Sequence, residues 1–138
     1  MHKRLKIYID GASKGNPGEA GAGILIIDEK DKVIKEFSEY LGSCSNNVAE
    51  YKAFLIALKM AIRLQAEYIV IYCDSELLVR QIKGIYRVKN AYLKSLYTKA
   101  VELLKNFNYY EIIHIKREAN HIADKLANKA IKEKNQKR

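Results

Sequence analysis

The alternation of apolar and polar positions along the chain predicts five β-strands and four α-helices. Short segments rich in Ile, Val and Tyr, bounded by polar or glycine-containing turns, are typical of strands. Longer segments with apolar residues three or four positions apart are typical of helices. The predicted strands are Lys3–Asp10, Ala20–Asp28, Val33–Leu41, Tyr68–Cys73 and Tyr109–Ile115. The predicted helices are Asn47–Gln65, Ser75–Lys83, Tyr92–Asn106 and a last helix that begins at His121.

The order of these elements predicts an α/β fold with one five-stranded mixed sheet and helices on both faces. The first three strands can form an antiparallel meander, whereas a strand–helix–strand connection implies parallel pairing. The 138 residues match one domain, without internal repeats, and a basic tail begins at about residue 131. The last helix carries an apolar stripe at helical spacing, formed by Ile122, Ala123, Leu126, Ala127, Ala130 and Ile131.

The chain carries 25 Lys and Arg against 16 Asp and Glu, a net charge of +9. Such an excess favours a polyanionic partner, either nucleic acid or an anionic membrane surface. Residues 80–105 hold seven basic side chains and one acidic, and residues 125–138 hold six and one. A single basic run is a solvated protein face about as often as it is a phosphate-binding surface. Two such runs in one chain favour contact with phosphates.

Neither a membrane segment nor a disulfide framework is predicted. No apolar stretch approaches the ~20 residues of a membrane span, and no signal peptide is predicted at the N-terminus. Cys44 and Cys73 do not form a close-spaced ligand pair. We therefore expect a cytoplasmic protein that contacts no membrane, with both cysteines as core thiols, although a bond between them stays open from sequence.

Four carboxylates stand where predicted elements begin or end. These residues are Asp10, Glu50, Asp74 and Asp124. Side chains at the carboxyl ends of strands in such sheets line a ligand crevice, so the four acids can meet at one edge. Each also has an ordinary alternative. Asp10 could form a turn with Gly11, and Glu50 could belong to a capping box with Asn47 as N-cap. Asp74 could cap the second helix, and Asp124 could be a favourable charge at the start of the last helix.

A cluster of four carboxylates favours bound cations. The four charges would repel one another or raise each other's pKa, and two divalent cations would cancel them. Oxygen-only ligands suit Mg²⁺ or Mn²⁺ rather than zinc. Two such ions, held about 4 Å apart, stabilise both the attacking and the leaving oxygen of an in-line phosphoryl displacement. A basic protein with an acidic metal pocket has the charge pattern of a nuclease.

The glycine-rich segment Gly11–Gly18 does not match a nucleotide-binding loop. It lacks the Gly-Lys-Ser/Thr ending of a P-loop, and it leads to a strand rather than to a helix. We expect a tight loop here, whose backbone can approach a nucleic-acid strand closely.

Four short segments carry motifs in a specific order. Residues 9–18 read Ile-Asp-Gly-Ala-Ser-Lys-Gly-Asn-Pro-Gly, and residues 45–50 read Ser-Asn-Asn-Val-Ala-Glu. Residues 73–75 read Cys-Asp-Ser, and residues 120–127 read Asn-His-Ile-Ala-Asp-Lys-Leu-Ala. With these segments the chain resembles the type 1 ribonuclease H family, in its short archaeal-like form. The resemblance runs from Leu5 to about Ala130.

The resemblance implies a ribonuclease H-like fold and an endonuclease that cuts the RNA strand of an RNA–DNA hybrid. Cleavage would leave 3′-hydroxyl and 5′-phosphate ends. Two Mg²⁺ ions are implied, with Mn²⁺ as a substitute. Asp10 would bridge both ions, while Glu50, Asp74 and Asp124 would complete their coordination.

The resemblance also implies contacts to the nucleic acid. Asn16, Asn46 and Asn47 match positions that read the minor groove and the 2′-hydroxyls, which distinguish RNA from DNA. Glu76 stands where many members have Gln among the residues that read RNA. Further candidate contacts are Gly11, Tyr86 and Asn120.

The chain departs from well-known bacterial members in two places. Those members carry a histidine in the loop before the fourth acid, and no histidine occupies that loop here. Glu118 is the expected stand-in, ahead of His121. The basic protrusion and its Trp are also absent, so Tyr86, Arg87 and Lys89 would make a reduced contact to the DNA strand.

Three functions are therefore open. The first is a ribonuclease that cuts RNA–DNA hybrids and acts as a monomer. The second is a nuclease of the same fold that cuts RNA duplexes or other structured nucleic acid, because some members without the protrusion also accept RNA duplexes. The third is a non-catalytic nucleic-acid-binding module, which the four retained acids argue against.

Overall fold

The computed structural model describes residues 3–136 and contains all nine predicted elements. The strands are β1 (Arg4–Gly15), β2 (Gly18–Asp28), β3 (Val33–Cys44), β4 (Tyr68–Cys73) and β5 (Tyr109–His114). The helices are α1 (Asn46–Arg63), α2 (Glu76–Ile82), α3 (Ala91–Leu104) and α4 (His121–Gln136), with a short 3-10 helix over Arg117–Asn120 before α4. The predicted order of elements is confirmed.

The strands form one mixed sheet in the order β3-β2-β1-β4-β5. β1, β2 and β3 are antiparallel neighbours, while β4 pairs parallel with both β1 and β5. Gly11 of β1, which contacts α1, pairs with Ala22 of β2. The neighbouring residues Gly21 and Gly23 contact α4. Because successive residues of a strand point to opposite faces, α1 and α4 cover opposite sides of the sheet, as predicted.

The hydrophobic core lies between α1 and the sheet. Its largest side chains with less than 2% exposure include Ile7, Ile9, Ile24, Ile26, Ile69, Ile71, Tyr51, Phe54 and Leu58. Burial of one such side chain stabilises the fold by about 1.5–3 kcal/mol. This core packs against β1 and β4, whose parallel register determines which residues of the two strands lie side by side.

The tight loop predicted for Gly11–Gly18 is wrong, because this segment extends the β1–β2 hairpin. β1 continues to Gly15, β2 begins at Gly18, and the turn contains a cis peptide bond before Pro17. The Ser13 hydroxyl ties the extension to β3 by donating to the carbonyl at the end of that strand, at 2.9 Å. Gly and Ala have weak strand propensity, so the sequence pattern did not predict that β1 and β2 stay paired as far as Gly15 and Gly18. Tertiary packing maintains this pairing.

The last helix differs from its prediction at two points. Ile122 is 40% exposed, whereas the other five residues of the predicted apolar stripe are buried. Within the described residues the predicted basic tail is the end of α4, which continues to Gln136; Lys137 and Arg138 lie outside the described residues. Between residues 3 and 136, no helix is both long and apolar enough to cross a membrane.

The backbone of α4 lies directly against β2 at Gly23. A Cβ atom at this position would overlap the carbonyl oxygen of Ala123 and would lie 2.5 Å from the amide nitrogen of Ala127. Rotation of a side chain cannot relieve a clash between two backbones. Gly23 therefore determines how closely the first turn of α4, which carries Asp124, approaches the sheet.

Gly23→Ala is expected to destabilise the fold by about 3 kcal/mol, because the added methyl group overpacks this contact. Gly84→Ala is the matched control. A Cβ atom there meets nothing within 4 Å, and the expected loss is the ~1 kcal/mol of a left-handed residue at φ +79°. Urea unfolding measures both variants, and equal losses would contradict the role of Gly23.

Candidate active site

Four elements bring the four predicted acids into one cleft. Asp10 lies within β1, Glu50 in α1, Asp74 directly after β4, and Asp124 in the first turn of α4. One carboxylate oxygen from each of Asp10, Glu50 and Asp74 lies within 4.8 Å of the other two. Asp124 lines the same cleft. The acids therefore meet, although they are spread over more than a hundred residues of sequence.

The β1–β4 ladder places two of these acids side by side. Ile9 pairs with Cys73 in the parallel register, so Asp10 and Asp74 follow at the same level, where β4 ends. Asp10 continues inside the longer β1, while Asp74 begins the turn toward α2. The sheet opens at this point and leaves both carboxylates facing the cleft.

Gly11 brings the third acid to the same place. A Cβ atom on Gly11 would overlap the backbone of Ala49 and the amide nitrogen of Glu50. Because glycine has no Cβ atom, α1 can lie directly against β1. Glu50 is thereby carried next to Asp10.

Neither Glu50 nor Asp74 caps a helix. The N-cap of α1 is Ser45, whose hydroxyl accepts a hydrogen bond from the backbone N–H three residues later at 3.2 Å. The alternative of a capping box with Asn47 as N-cap is therefore excluded. α2 is likewise capped by Ser75 and not by Asp74. Both carboxylates remain free for another role.

Burial and mutual repulsion favour the protonated acids in this cluster. Asp10 is 4% exposed; burial, followed by the charges of Asp74 and Asp124, raises its pKa to about 8. Burial and the charge of Asp10 raise the pKa of Glu50 well above its usual range. Burial also raises the pKa of Asp74, although a hydrogen bond from Asn120 opposes this shift.

The residues of the cluster fit divalent cations. Asp10 Oδ2 is buried and has no hydrogen-bond partner among the described residues, so it is available as a ligand. Every donor in the cluster is a carboxylate oxygen, the ligand type that Mg²⁺ and Mn²⁺ prefer. A nearby cation would also counteract the repulsion that raises these pKa values.

Known proteins resemble this chain in sequence and in fold. The family model described as Reverse transcriptase-like matches residues 8–130. A ribonuclease HI from Halobacterium salinarum is 35% identical over 128 residues, which is 93% of this chain. The crystal structure of RNase H1 from that archaeon matches with a TM-score of 0.92 over 94% of this chain and 98% of the other. A ribonuclease H from Chlorobium phaeobacteroides is 31% identical over 148 residues, 96% of this chain and 98% of the relative.

The chain belongs to the type 1 ribonuclease H family. A further solved member, LC11-RNase H1 in complex with an RNA/DNA hybrid, is 38% identical, with a TM-score of 0.88 over 94% of this chain and 97% of the other. The chain spans 64% of the length of the halobacterial relative and 35% of that of three mycobacterial relatives. The similarity to those longer proteins therefore concerns only the part that they share with this chain.

Two of the three asparagines expected to contact RNA line the acidic cleft. They are Asn46 and Asn47, and Gly11 lines the cleft beside them. Asn16 lies at the tip of the β1–β2 hairpin, where its side-chain oxygen accepts a hydrogen bond from the Asn46 backbone N–H at 3.1 Å. This bond holds the hairpin tip against the start of α1.

Asn120 is buried and is not available to a substrate. It is 1% exposed, and its Nδ2 donates to the Ile9 carbonyl oxygen at 2.8 Å. The same side chain hydrogen-bonds Asp74. The expected direct contact to substrate is therefore corrected: Asn120 links the 3-10 helix to the strand that carries Asp10.

Glu76 and Tyr86 lie outside the residues that line the acidic cleft. Glu76 is ion-paired with Arg80 at 2.8 Å. Tyr86 lines a second groove, between α2 and α3, which also contains Arg87 and Lys89. We call it the α2–α3 groove. Its basic side chains belong to the first of the two basic segments.

The structure places Arg117, rather than Glu118, on the wall of the cleft. The Arg117 guanidinium lies 3.8 Å from Asp124 Oδ1. Glu118 is exposed and does not line the cleft, and His121 lines a different cavity. Consecutive residues of a 3-10 helix point roughly 120° apart, so a difference of one position decides which side chain faces the acids.

Asn128 is a further cleft residue that the sequence analysis did not identify. Its Nδ2 donates to the Asp124 carbonyl oxygen at 2.9 Å and to Asp124 Oδ1 at 3.3 Å. Asn128 follows Asp124 by four residues, so the helical i, i+4 spacing was the signal that could have identified it.

Asp10→Asn is expected to be more stable than the wild type when metal is absent. The pKa of Asp10 is raised from 3.8 to about 8 in the folded protein. Between about pH 4 and pH 8 the folded state therefore holds a proton that the unfolded state releases, and wild-type stability falls as pH rises. Asparagine does not titrate, so the free energy of unfolding of the variant lacks this pH dependence. At pH 8 it should exceed that of the wild type by about 1–3 kcal/mol.

Urea unfolding in EDTA at pH 5 and pH 8 measures this difference. Glu39→Gln, at an exposed position, is the control and should show no such trend. An Asp10→Asn variant no more stable than the wild type at pH 8 would contradict the described repulsion.

Proposed function

We propose that this chain is a metal-dependent endoribonuclease that hydrolyses the RNA strand of RNA–DNA hybrids, leaving 3′-hydroxyl and 5′-phosphate ends. The observation that carries the proposal is the meeting of Asp10, Glu50 and Asp74 in a cleft also lined by Asp124, in a chain of the ribonuclease H family. A pure binding module would gain nothing from four acids beside phosphates. We further infer a monomer in the reducing cytosol, where free thiols persist.

The four acids are proposed to hold two Mg²⁺ ions, for which Mn²⁺ can substitute. Ions of this type supply an activated water and stabilise the oxygens that gain charge during in-line displacement. Asp10 would be the ligand common to both ions, because the other three acids all influence its carboxylate and its Oδ2 is buried without a hydrogen-bond partner among the described residues. Asn128 orients Asp124, and Asn120 orients Asp74.

Asparagine side chains and exposed backbone are the proposed contacts to the RNA strand. Asn46 and Asn47 line the cleft, and Asn16 is tied to them at the hairpin tip. Amide groups can both donate to and accept from a 2′-hydroxyl, which DNA lacks. Gly11 exposes its backbone to the cleft. The hybrid bound to LC11-RNase H1 supports a hybrid as the substrate of this chain.

The α2–α3 groove is the proposed contact to the DNA strand. Tyr86 is 46% exposed, and Arg87, Lys89 and Lys94 provide positive charge around it. A positively charged groove that follows a phosphate backbone, with an aromatic ring for stacking, is typical of sequence-tolerant binding. The groove thus serves in place of the absent protrusion.

Asp10→Asn is expected to lower cleavage of a labelled RNA–DNA hybrid at least about 100-fold in Mg²⁺ or Mn²⁺, because it removes a charged ligand. The urea experiment above establishes that the variant is folded. In the same gel the wild type should cut the hybrid and leave a DNA duplex intact. Cleavage of an RNA duplex at the rate of the hybrid would indicate the broader substrate class. A fully active Asp10→Asn variant would contradict the proposal.

Arg117→Ala and Glu118→Gln are expected to show which of these two neighbouring side chains acts on the acidic cleft, where Glu118 is the expected stand-in for the absent loop histidine. Arg117 faces Asp124, so its loss should lower kcat about tenfold, as with other partners of metal-ligating groups. Glu118 is exposed outside the cleft, and its variant should stay within about twofold of the wild type. Steady-state cleavage of the hybrid measures both, and the reverse order would favour Glu118.

A further inference from the structure

Glu50 holds its carboxylate in an almost fully enclosed position between α1 and the sheet. Glu50 is 8% exposed. The Gly11 backbone N–H donates a hydrogen bond to the carboxylate. A second contact comes from the end of β4, where Cys73 Sγ lies 3.6 Å from Glu50 Oε2. Glu50 is therefore held from two neighbouring strands.

The geometry around Cys73 assigns a direction to this second contact. Cys73 is fully buried, and its sulfur accepts a hydrogen bond from the Ser75 backbone N–H at 3.4 Å. A backbone N–H can only donate, so the sulfur is the acceptor in that contact. Toward an ionised Glu50, which is the form that binds a cation, the Cys73 S–H group is the donor to Oε2.

We propose that Cys73 is a positioning residue for the carboxylate of Glu50. Its thiol engages Oε2 and fixes the side-chain rotamer, so that Oε1 remains available to a divalent ion. The inference rests on the proposed metal-dependent function and adds to it a residue that faces the core rather than the cleft. Partners that orient a ligating group affect metal affinity strongly, although they do not touch the ion.

A purely structural role for Cys73 makes different predictions. A buried cysteine commonly acts as a small apolar side chain, and in that case shape alone would matter. Valine keeps a similar shape and removes the donor, whereas serine keeps a donor and reduces the apolar volume. The two substitutions therefore separate positioning from packing.

The test measures Mn²⁺ binding to the nucleic-acid-free protein, from the electron paramagnetic resonance signal of the unbound ion. Cys73→Val is expected to weaken Mn²⁺ affinity about tenfold. Cys73→Ser should remain within about twofold of the wild type. The Mn²⁺ concentration for half-maximal hybrid cleavage should shift in parallel, with little change in KM for the hybrid. Cys44→Val, at the half-buried cysteine outside the cleft, is the matched control.

Wild-type affinity in a folded Cys73→Val variant, or an equal loss in Cys73→Ser, would overturn the proposal. Circular dichroism and urea unfolding verify folding, and Cys73→Ala replaces the valine variant if that variant shows no cooperative transition. A wild type that binds no Mn²⁺, or an Asp10→Asn variant that binds it fully, would instead overturn the metal-dependent function itself. The two failures are therefore distinguishable.

Discussion

Three glycines allow helices to touch the sheet through their backbones. β1 contacts α1 at Gly11, and β2 contacts α4 at Gly21 and Gly23. A side chain can rotate to relieve an overlap, but two backbones in contact cannot. Glu50 and Asp124 are thus carried to the sheet by the helices themselves. Carboxylates that repel one another are kept together although nothing attracts them to each other.

This arrangement lowers stability, and the core offsets the loss. A buried polar atom such as Asp10 Oδ2, which has no hydrogen-bond partner within residues 3–136, costs about 1–3 kcal/mol. A fully buried large side chain, such as Phe54 or Leu58, contributes a similar amount in the opposite direction. A few residues of the α1 layer therefore suffice to maintain an acidic cluster that is unfavourable without cations. Local destabilisation of this kind is common at active sites.

Local patterns were sufficient to predict the order of the elements and the four acids, because periodicity and strand ends are readable in sequence. The capping alternative named Asn47 although Ser45 is the N-cap, because serine and asparagine have similar capping tendencies. The hairpin was missed because Gly and Ala are weak strand formers. Three features depend on tertiary contacts that no local pattern encodes: the orientation of Arg117, the burial of Asn120, and the contact that Cys73 makes 23 residues away from its partner.

The position of Asp124 on α4 determines when the acidic cleft can be completed during translation. The other three acids occur within the first 74 residues, whereas Asp124 arrives with α4. Chains fold as they are synthesised, beginning with their N-terminal parts. β1 to β4 can thus assemble before α4 has left the ribosome, but the cleft stays incomplete until α4 docks on β2. The four acids can therefore share one cation site only after α4 has packed against the sheet.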